Sequence, residues 1–459
     1  MNVADLLLAR RPMLLDARGE GAAIDLRSLV AARRAVVAEA TAVGERVVIG
    51  VADPAEAVAW YVATVAEGRV AVPIGPRLPD AERRRLLDAI EAADASALVI
   101  DDETAPPTPT PGVDLAATEV EADAVAALLF TSGTEGAPRA VPLRHRHLRA
   151  ALATIGAIDV GLGPDDRFGL VVPTDHVLGL SGVVNLCLAT GATLVVGLDP
   201  RPVALADAVR RHDITVLAGP PTLWHDLVTA RVGALEPVRI ALSGAAPLDA
   251  ELGRRVADDL GVVLHQAYGL TETVGMGAST LGAGDDAEQL AAAGSVGRLL
   301  PGVEARLVGE DGADVLVGDA GELLLRGPTV ALTDPADGWL HTGDLAVVDD
   351  TGALSIVDRL KDLVIVSGFN VHPGEVERVL RAAPGVAEAG VIAAPDPRTG
   401  ERVEALVVAE ADVTVDIDAV LAHCRSQLAR YKVPSSIEVV DSLPTTALGK
   451  LQRGVLRKS

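Results

Sequence analysis

Residues 128–148 read LLFTSGTEGAPRAVPLRHRHL, an apolar run that breaks into Thr, Ser and Gly and returns through Pro138 and Arg139. Such a loop after an apolar strand offers backbone N–H groups, hydroxyls and a cation to a polyphosphate, and its glycines allow close approach. The G-x-x-x-x-G-K-[ST] spacing of a Walker loop is absent. Taken alone, a Ser/Thr/Gly loop is more often plain turn chemistry. Its meaning depends on what surrounds it.

Upstream, short apolar strands alternate with amphipathic helices. Residues 46–50 (RVVIG), 70–73 and 97–100 read as strands, and 54–68 and 79–93 as helices. This rhythm predicts βαβ units and mainly parallel sheet. It resumes downstream, with strands expected at 167–172, 193–196, 215–218 and 239–242. Residues 105–112 (APPTPTPG) read as a Pro/Thr-rich surface connection, and 282–294 as an acidic, Ala-rich surface segment. From 302 to 326 the pattern changes to strands joined by Asp-Gly turns, a small antiparallel unit. The last hundred residues, from about 359, read as a separate small α+β domain with strands near 363–367, 387–393 and 403–408 and helices at 373–383 and 416–428.

Bulk properties narrow the functional classes. At 459 residues the chain is long enough for more than one core. A formal charge of −24 argues against a nucleic-acid surface and against attraction to anionic membranes, so any anionic ligand needs a local cluster of donors. Cys187 and Cys424 are far apart, which leaves no disulfide framework or Cys-rich metal site and points to the cytoplasm. Residues 177–198 carry no charge, but the Thr190-Gly191-Ala192 break predicts a buried helix followed by a buried strand instead of a membrane span. His145 and His147, and the isolated His341 and His372, form no metal pattern, so loop or capping roles are expected for them.

Further segments give the loop its context. Residues 266–273 read QAYGLTET, 341–345 HTGDL, 358–377 DRLKDLVIVSGFNVHPGEVE and 443–453 LPTTALGKLQR. In this order and spacing the set resembles the adenylate-forming superfamily of acyl-CoA synthetases, luciferases and peptide-synthetase adenylation domains, over essentially the whole chain. The resemblance implies an α/β fold: a large N-terminal domain (residues 1–358) of βαβ-type sheets with a small β unit, and a small mobile α+β C-terminal domain (359–459) carrying a catalytic lysine. It implies ATP-dependent conversion of a small carboxylic acid to acyl-AMP with release of pyrophosphate, then transfer to the thiol of coenzyme A, with Mg²⁺ as cofactor. Transfer to a carrier-protein thiol or an amine is the second reading, and a non-catalytic nucleotide-binding relative the third.

Roles follow from the resemblance residue by residue. Thr131, Ser132, Gly133, Thr134, Gly136 and Arg139 would surround the β- and γ-phosphates. Tyr268 would cover the adenine opposite Ala245 and Ala246. Thr271 would meet the α-phosphate, Glu272 would hold Mg²⁺, and Asp344 and Arg359 would hold the ribose. His176, Gly244, Val274 and Gly275 would line the acyl pocket. Lys361 would be the hinge, Gly368 would line the acceptor channel, and Lys450 would bridge carboxylate and phosphate. The chain departs from the family at Arg139, where Lys is usual, at Ala140, where Gly is usual, and in the short connection between Val330 and Trp339. It also has Asp175 where relatives carry an apolar or aromatic residue; this carboxylate either tunes the pocket or faces solvent.

Overall fold

A computed structural model describes the chain except residues 1, 11, 19–22, 41–44, 77, 79, 92–96, 105–114, 133–137, 285, 293, 335, 368, 412, 447–450 and 457–459. Gly133, Thr134, Gly136, Gly368, Lys450 and the 105–112 connection therefore lie outside the described residues. The rest form a mixed α/β structure of two compact units. One comprises Met1–Ala305 with Leu325–Leu340, the other Arg306–Leu324 with His341–Ser459.

The first unit is built on two sheets. In the smaller, the strand Arg46–Gly50 lies between the parallel strands Val70–Pro73 and Ala97–Asp101, as the strand–helix rhythm predicts. Val70–Pro73 then pairs in parallel with Val125–Ser132, which turns back antiparallel onto Pro138–Arg144. The helix Pro54–Ala66 is apolar almost all round, and nearly all of it is buried. Such a helix belongs inside a fold. Its start is fixed by Asp53, which accepts from the N–H groups of Ala55 and Glu56, with Pro54 in the first turn.

The larger sheet has nine strands. Its centre is the parallel set Leu264–Tyr268, Ile240–Ser243, Val216–Gly219, Arg167–Gly169 and Thr193–Val196. A core of Trp224, Leu217, Leu227, Val209, Val256 and their neighbours packs against it. Residues 177–198 divide as expected at Gly191 (φ 78°), with the strand Thr193–Val196 following. The helical half, however, opens with a stretch of π-helix, Leu178–Asn185, before the short α-helix Leu186–Thr190. No helix among the described residues is long and apolar enough to cross a membrane. The 282–294 segment is more than acidic surface. It contains the helix Asp286–Ala292, with Ala287 and Leu290 buried.

Two histidines expected in loop or capping roles sit in the first unit's interior. His147 caps the helix His145–Gly156, its Nδ1 accepting the Arg144 N–H at 3.2 Å, and His145 Nδ1 accepts from Val3 N–H at 3.1 Å. Both are fully buried. Burial holds them neutral, each with a pKa lowered to about 4. Late in this unit the Arg326 guanidinium lies 4.5 Å from the ring centre of Trp339.

The second unit also has two sheets. Strands Glu304–Val308, Gly321–Arg326, Leu340–Val348 and Leu354–Arg359 form the first, so the antiparallel unit foreseen for 302–326 gains two further strands. In the other, Gly400–Ala409 pairs with Val386–Asp396, Val364–Val366 and Ser436–Val440, and Phe369–Val371 adds an edge. The helices Pro373–Arg381 and Ile417–Gln427 cover it through Val376, Leu380, Val420 and Cys424. Phe369 and Tyr431 stack with ring centres 4.9 Å apart.

Candidate active site

Neighbouring parallel strands bring much of the motif set to one edge of the first unit. Ile240–Ser243 and Leu264–Tyr268 run side by side, with Ser243 opposite Gln266. The loops leaving their carboxyl ends hold Gly244, Ala245 and Ala246 on one side and Thr271 to Gly275 on the other. Gly244 donates its N–H to the Gly219 carbonyl (3.2 Å), tying in the end of the next strand.

Backbone geometry in these loops is unusual. Ala245 (φ 70°) and the fully buried Val274 (φ 56°) are left-handed without being glycine. For a β-branched residue this is a true outlier, of the kind that clusters at functional sites. Thr271–Thr273 forms a single 3₁₀ turn. It is pinned because Thr273 Oγ1 accepts the Leu270 N–H (3.0 Å) and lies 3.1 Å from the Leu270 carbonyl. The cap is therefore Thr273, and among the described residues the Glu272 carboxylate has no hydrogen bond or ion pair. Its backbone carbonyl accepts from Ala331 N–H at 2.7 Å, which attaches the short Val330–Trp339 connection directly to this turn.

The 3₁₀ turn packs against both strands of the hairpin Val125–Ser132 and Pro138–Arg144. Within that hairpin Thr131 is directly opposite Arg139, and Ser132 opposite Pro138. Arg139 and Ala140 are exposed. Tyr268, half-buried, has its ring against Gly277, where an added Cβ would lie 3.0 Å from Cδ1.

Residues 173–180 return to the same edge. Gly179 sits so close to the Pro173 carbonyl that no side chain would fit there. This tight return places the Leu178 side chain 3.8 Å from where a Cβ on Gly244 would be, and that of Val177 3.7 Å from the same position on Gly275. Gly244, Val274 and Gly275 thus meet the segment that contains His176. The His176 side chain itself is exposed, and Asp175 is half-buried. Val177 and Leu178, which directly follow His176, make these approaches, whereas the sequence reading singled out only His176 from this segment.

The second unit carries the remaining motifs. Asp344 and Arg359 are cross-strand partners, and Arg359 Nε donates to the buried Asp344 carboxylate at 2.6 Å. Thr342 and Gly343 hold the approach to Asp344. Thr342 Oγ1 donates to the Leu323 carbonyl (2.6 Å) and accepts the Asp344 N–H, and Gly343 is left-handed. Lys361 is exposed in the 3₁₀ turn Leu360–Asp362. Ser367 (φ 53°) is left-handed and directly follows the strand Val364–Val366, which pairs with Phe369–Val371. Among the described residues no group of three or more His, Cys, Asp or Glu is arranged as a metal site.

Strained loops gathered at the carboxyl ends of adjacent parallel strands are the mark of a ligand-binding α/β protein. Comparison with known proteins makes this specific. A family model described as AMP-binding enzyme matches residues 37–333, and one described as AMP-binding enzyme C-terminal domain matches 375–450; the chain belongs to the AMP-binding enzyme family. Its relatives are acyl-CoA ligases. A 3-[(3aS,4S,7aS)-7a-methyl-1,5-dioxo-octahydro-1H-inden-4-yl]propanoyl:CoA ligase of Mycobacterium tuberculosis is 40% identical over 349 residues, covering 73% of this chain and 66% of that protein. A feruloyl-CoA synthase of Amycolatopsis is 36% identical over 349 residues, 73% of this chain and 70% of that one. The chain thus spans just under two thirds of the Mycobacterium ligase. Among solved structures, ATP-bound MatB from Rhodopseudomonas palustris superposes with a TM-score of 0.87 at 29% identity, covering 100% of this chain and 99% of that one. The amide bond synthetase McbA from Marinactinospora thermotolerans gives 0.85 at 26%, with 99% and 98% covered.

Proposed function

We propose that the protein is an AMP-forming acid–thiol ligase that joins a carboxylic acid to AMP and passes the acyl group to coenzyme A. The observation carrying this reading is the meeting of three motifs in the first unit. The Thr271–Thr273 turn packs on both strands of the Thr131–Arg139 hairpin, beside loops that touch the segment after His176.

In the first step a carboxylate oxygen attacks the α-phosphorus of ATP. The bond from that phosphorus to the bridging oxygen breaks, and pyrophosphate leaves with the electron pair. Positioning and charge stabilisation supply the catalysis. Thr131, Ser132, Gly133, Thr134, Gly136 and Arg139 grip the outer phosphates. Arg139 does so with a planar fork in place of a compact ammonium. Thr271 donates to the α-phosphate, Tyr268 and the Ala245–Ala246 backbone sandwich the adenine, and Asp344 and Arg359 hold the ribose. The Glu272 carboxylate, without a partner among the described residues, suits a hard cation, and Mg²⁺ held there would supply charge neutralisation to the phosphates. Lys450 neutralises the two converging anions. In the second step a thiol sulfur attacks the acyl carbon, its proton passes to solvent, and AMP leaves.

Residues 359–459 act as the mobile domain, with Lys361 as hinge and Gly368 beside the acceptor channel. The supporting observation is that the two family models leave residues 334–374 between them. Two buried, unpaired cysteines fit a cytoplasmic enzyme. Transfer to an amine or a carrier-protein thiol is the second reading, favoured by the likeness to an amide bond synthetase.

The test is acid-dependent exchange of pyrophosphate into ATP, across aromatic, fused-ring and long-chain acids, followed by AMP release with and without coenzyme A. Exchange with at least one acid, and AMP release accelerated by coenzyme A, is expected. Lys450→Ala is expected to lose exchange by on the order of 100-fold or more while still binding ATP. Exchange unchanged in that variant removes Lys450 from the chemistry, and release indifferent to coenzyme A favours the second reading.

A further inference from the structure

The end of the chain is held by an arrangement that the roles above leave unused. Thr445 and Leu451 form an antiparallel bridge, and Gln452 donates its N–H to the Pro444 carbonyl at 2.8 Å. The bridge brings residues 445 and 451 together, and Lys450 directly precedes the bridged Leu451 in sequence.

Two contacts tie the residues on either side of this bridge to the rest of the second unit. One is apolar. Leu443, Leu451 and Leu456 converge on Gly390, where an added Cβ would lie 3.2 to 3.4 Å from all three side chains. The other is polar. Arg453, three residues after Lys450, has a side chain only 16% exposed. Its Nη2 donates to Glu377 Oε1 at 2.6 Å, Nη1 to Asp362 Oδ2 at 3.4 Å, and Nε to the Val391 carbonyl at 3.2 Å. Glu377 Oε1 also accepts the Val391 N–H at 2.9 Å, so the acceptor side is itself fixed to the sheet.

We propose that Arg453 is a positioning residue for adenylation, clamping the stretch directly after Lys450 to the helix Pro373–Arg381 through Glu377 and to the turn Leu360–Asp362 through Asp362. The proposal rests on the role given to Lys450 above. Three acceptors spread around one guanidinium need a rigid fork, and a lysine reaches fewer of them. A catalytic group whose neighbours are not anchored has many conformations to lose, and a misplacement of about 1 Å costs on the order of 100-fold in rate. Asp362 adjoins Lys361, the hinge proposed above, so the clamp would couple the stretch after Lys450 to the turn about which the domain would rotate.

Arg453→Met and Arg453→Lys test this in the full-length protein. Thermal unfolding first establishes that each is folded. Each half-reaction is then measured with the acid the wild-type enzyme turns over: pyrophosphate exchange, and thioester formation from supplied acyl adenylate and coenzyme A. In Arg453→Met the kcat for exchange is expected to fall on the order of 100-fold, with KM for ATP nearly unchanged and thioester formation within about threefold of wild type, the limit we set for a spared step. Arg453→Lys is expected to fall between, and it carries the test if the Met variant does not fold. Unaltered exchange in a folded variant, or equal loss of both half-reactions, overturns the proposal. If the wild-type protein exchanges with no acid, the ligase reading fails instead. The clamp is then read by tryptic cleavage after Lys450, which is faster in Arg453→Met if the clamp holds and unchanged if it does not.

Discussion

At the scale of single residues, the Asp344–Arg359 pair separates structural from functional use of charge. A buried carboxylate 2.6 Å from a guanidinium is a sufficient cross-strand ion pair in its own right. A ribose contact adds a charge-assisted hydrogen bond, of about 1.5–3 kcal/mol. Asp344→Ala is therefore expected to raise KM for ATP by on the order of 10-fold or more, with KM for the acid little changed. A variant with reduced thermal stability and unchanged KM for ATP would leave only the ion pair. Arg139 poses a related question of side-chain economy. The chain's only lysines are Lys361, Lys432, Lys450 and Lys458, so arginine serves in most places that need a cation. Lysine persists at 450, and a compact ammonium is what the role proposed for it, between two converging anions, would require.

At the scale of elements, the helix His145–Gly156 makes stability depend on pH. His145 and His147 have folded-state pKa values near 4, against 6.5 in the unfolded chain. Between those values the unfolded state binds more protons, so stability is complete above about pH 6.5 and falls as pH drops toward 4. Each histidine accounts for about 3 kcal/mol across that window. Denaturant unfolding at pH 7 and pH 5 should show the loss, and His145→Gln with His147→Gln should flatten it, since glutamine at the third helical position can still cap. Unchanged pH dependence in the double variant would place the acid sensitivity elsewhere. These elements also mark what was legible beforehand. The strands Arg46–Gly50, Val70–Pro73 and Thr193–Val196 were readable because short Val-rich runs between turn residues can hardly be anything else. The π-helix Leu178–Asn185 was not, because it follows from the Gly179–Pro173 approach and not from local propensity. The helix Asp286–Ala292 was masked by its acidic neighbours, although its buried face needs only Ala287 and Leu290. Most of the candidate site was legible through motif order. Arg453 stood within a quoted motif, yet its partners Asp362 and Glu377 lie 91 and 76 residues away, a separation sequence alone does not bridge.

At the scale of the whole molecule, a formal charge of −24 works against anionic substrates. As proposed substrates, ATP and coenzyme A would approach a repulsive field that only local donors at the site could reverse. Raising ionic strength from about 10 mM to about 150 mM shortens the screening length from roughly 30 Å to roughly 8 Å. The kcat/KM for coenzyme A should accordingly rise severalfold over that range before levelling off. A fall with salt would mean that the local positive cluster dominates the encounter.

The stacking of Trp339 on Arg326 has an optical consequence. Trp60, Trp224 and Trp339 are the chain's tryptophans, and all three belong to the first unit. The second unit holds no indole, and its one tyrosine, Tyr431, lies against Phe369. Intrinsic emission excited at the red edge therefore originates wholly in the first unit, with Trp339 at its border beside the strand Gly321–Arg326, while near-ultraviolet dichroism from Tyr431 registers melting of the second. The protein comes with a built-in colour separation between its two halves, and a single indole grafted onto the smaller one would be read against a background that never originates there.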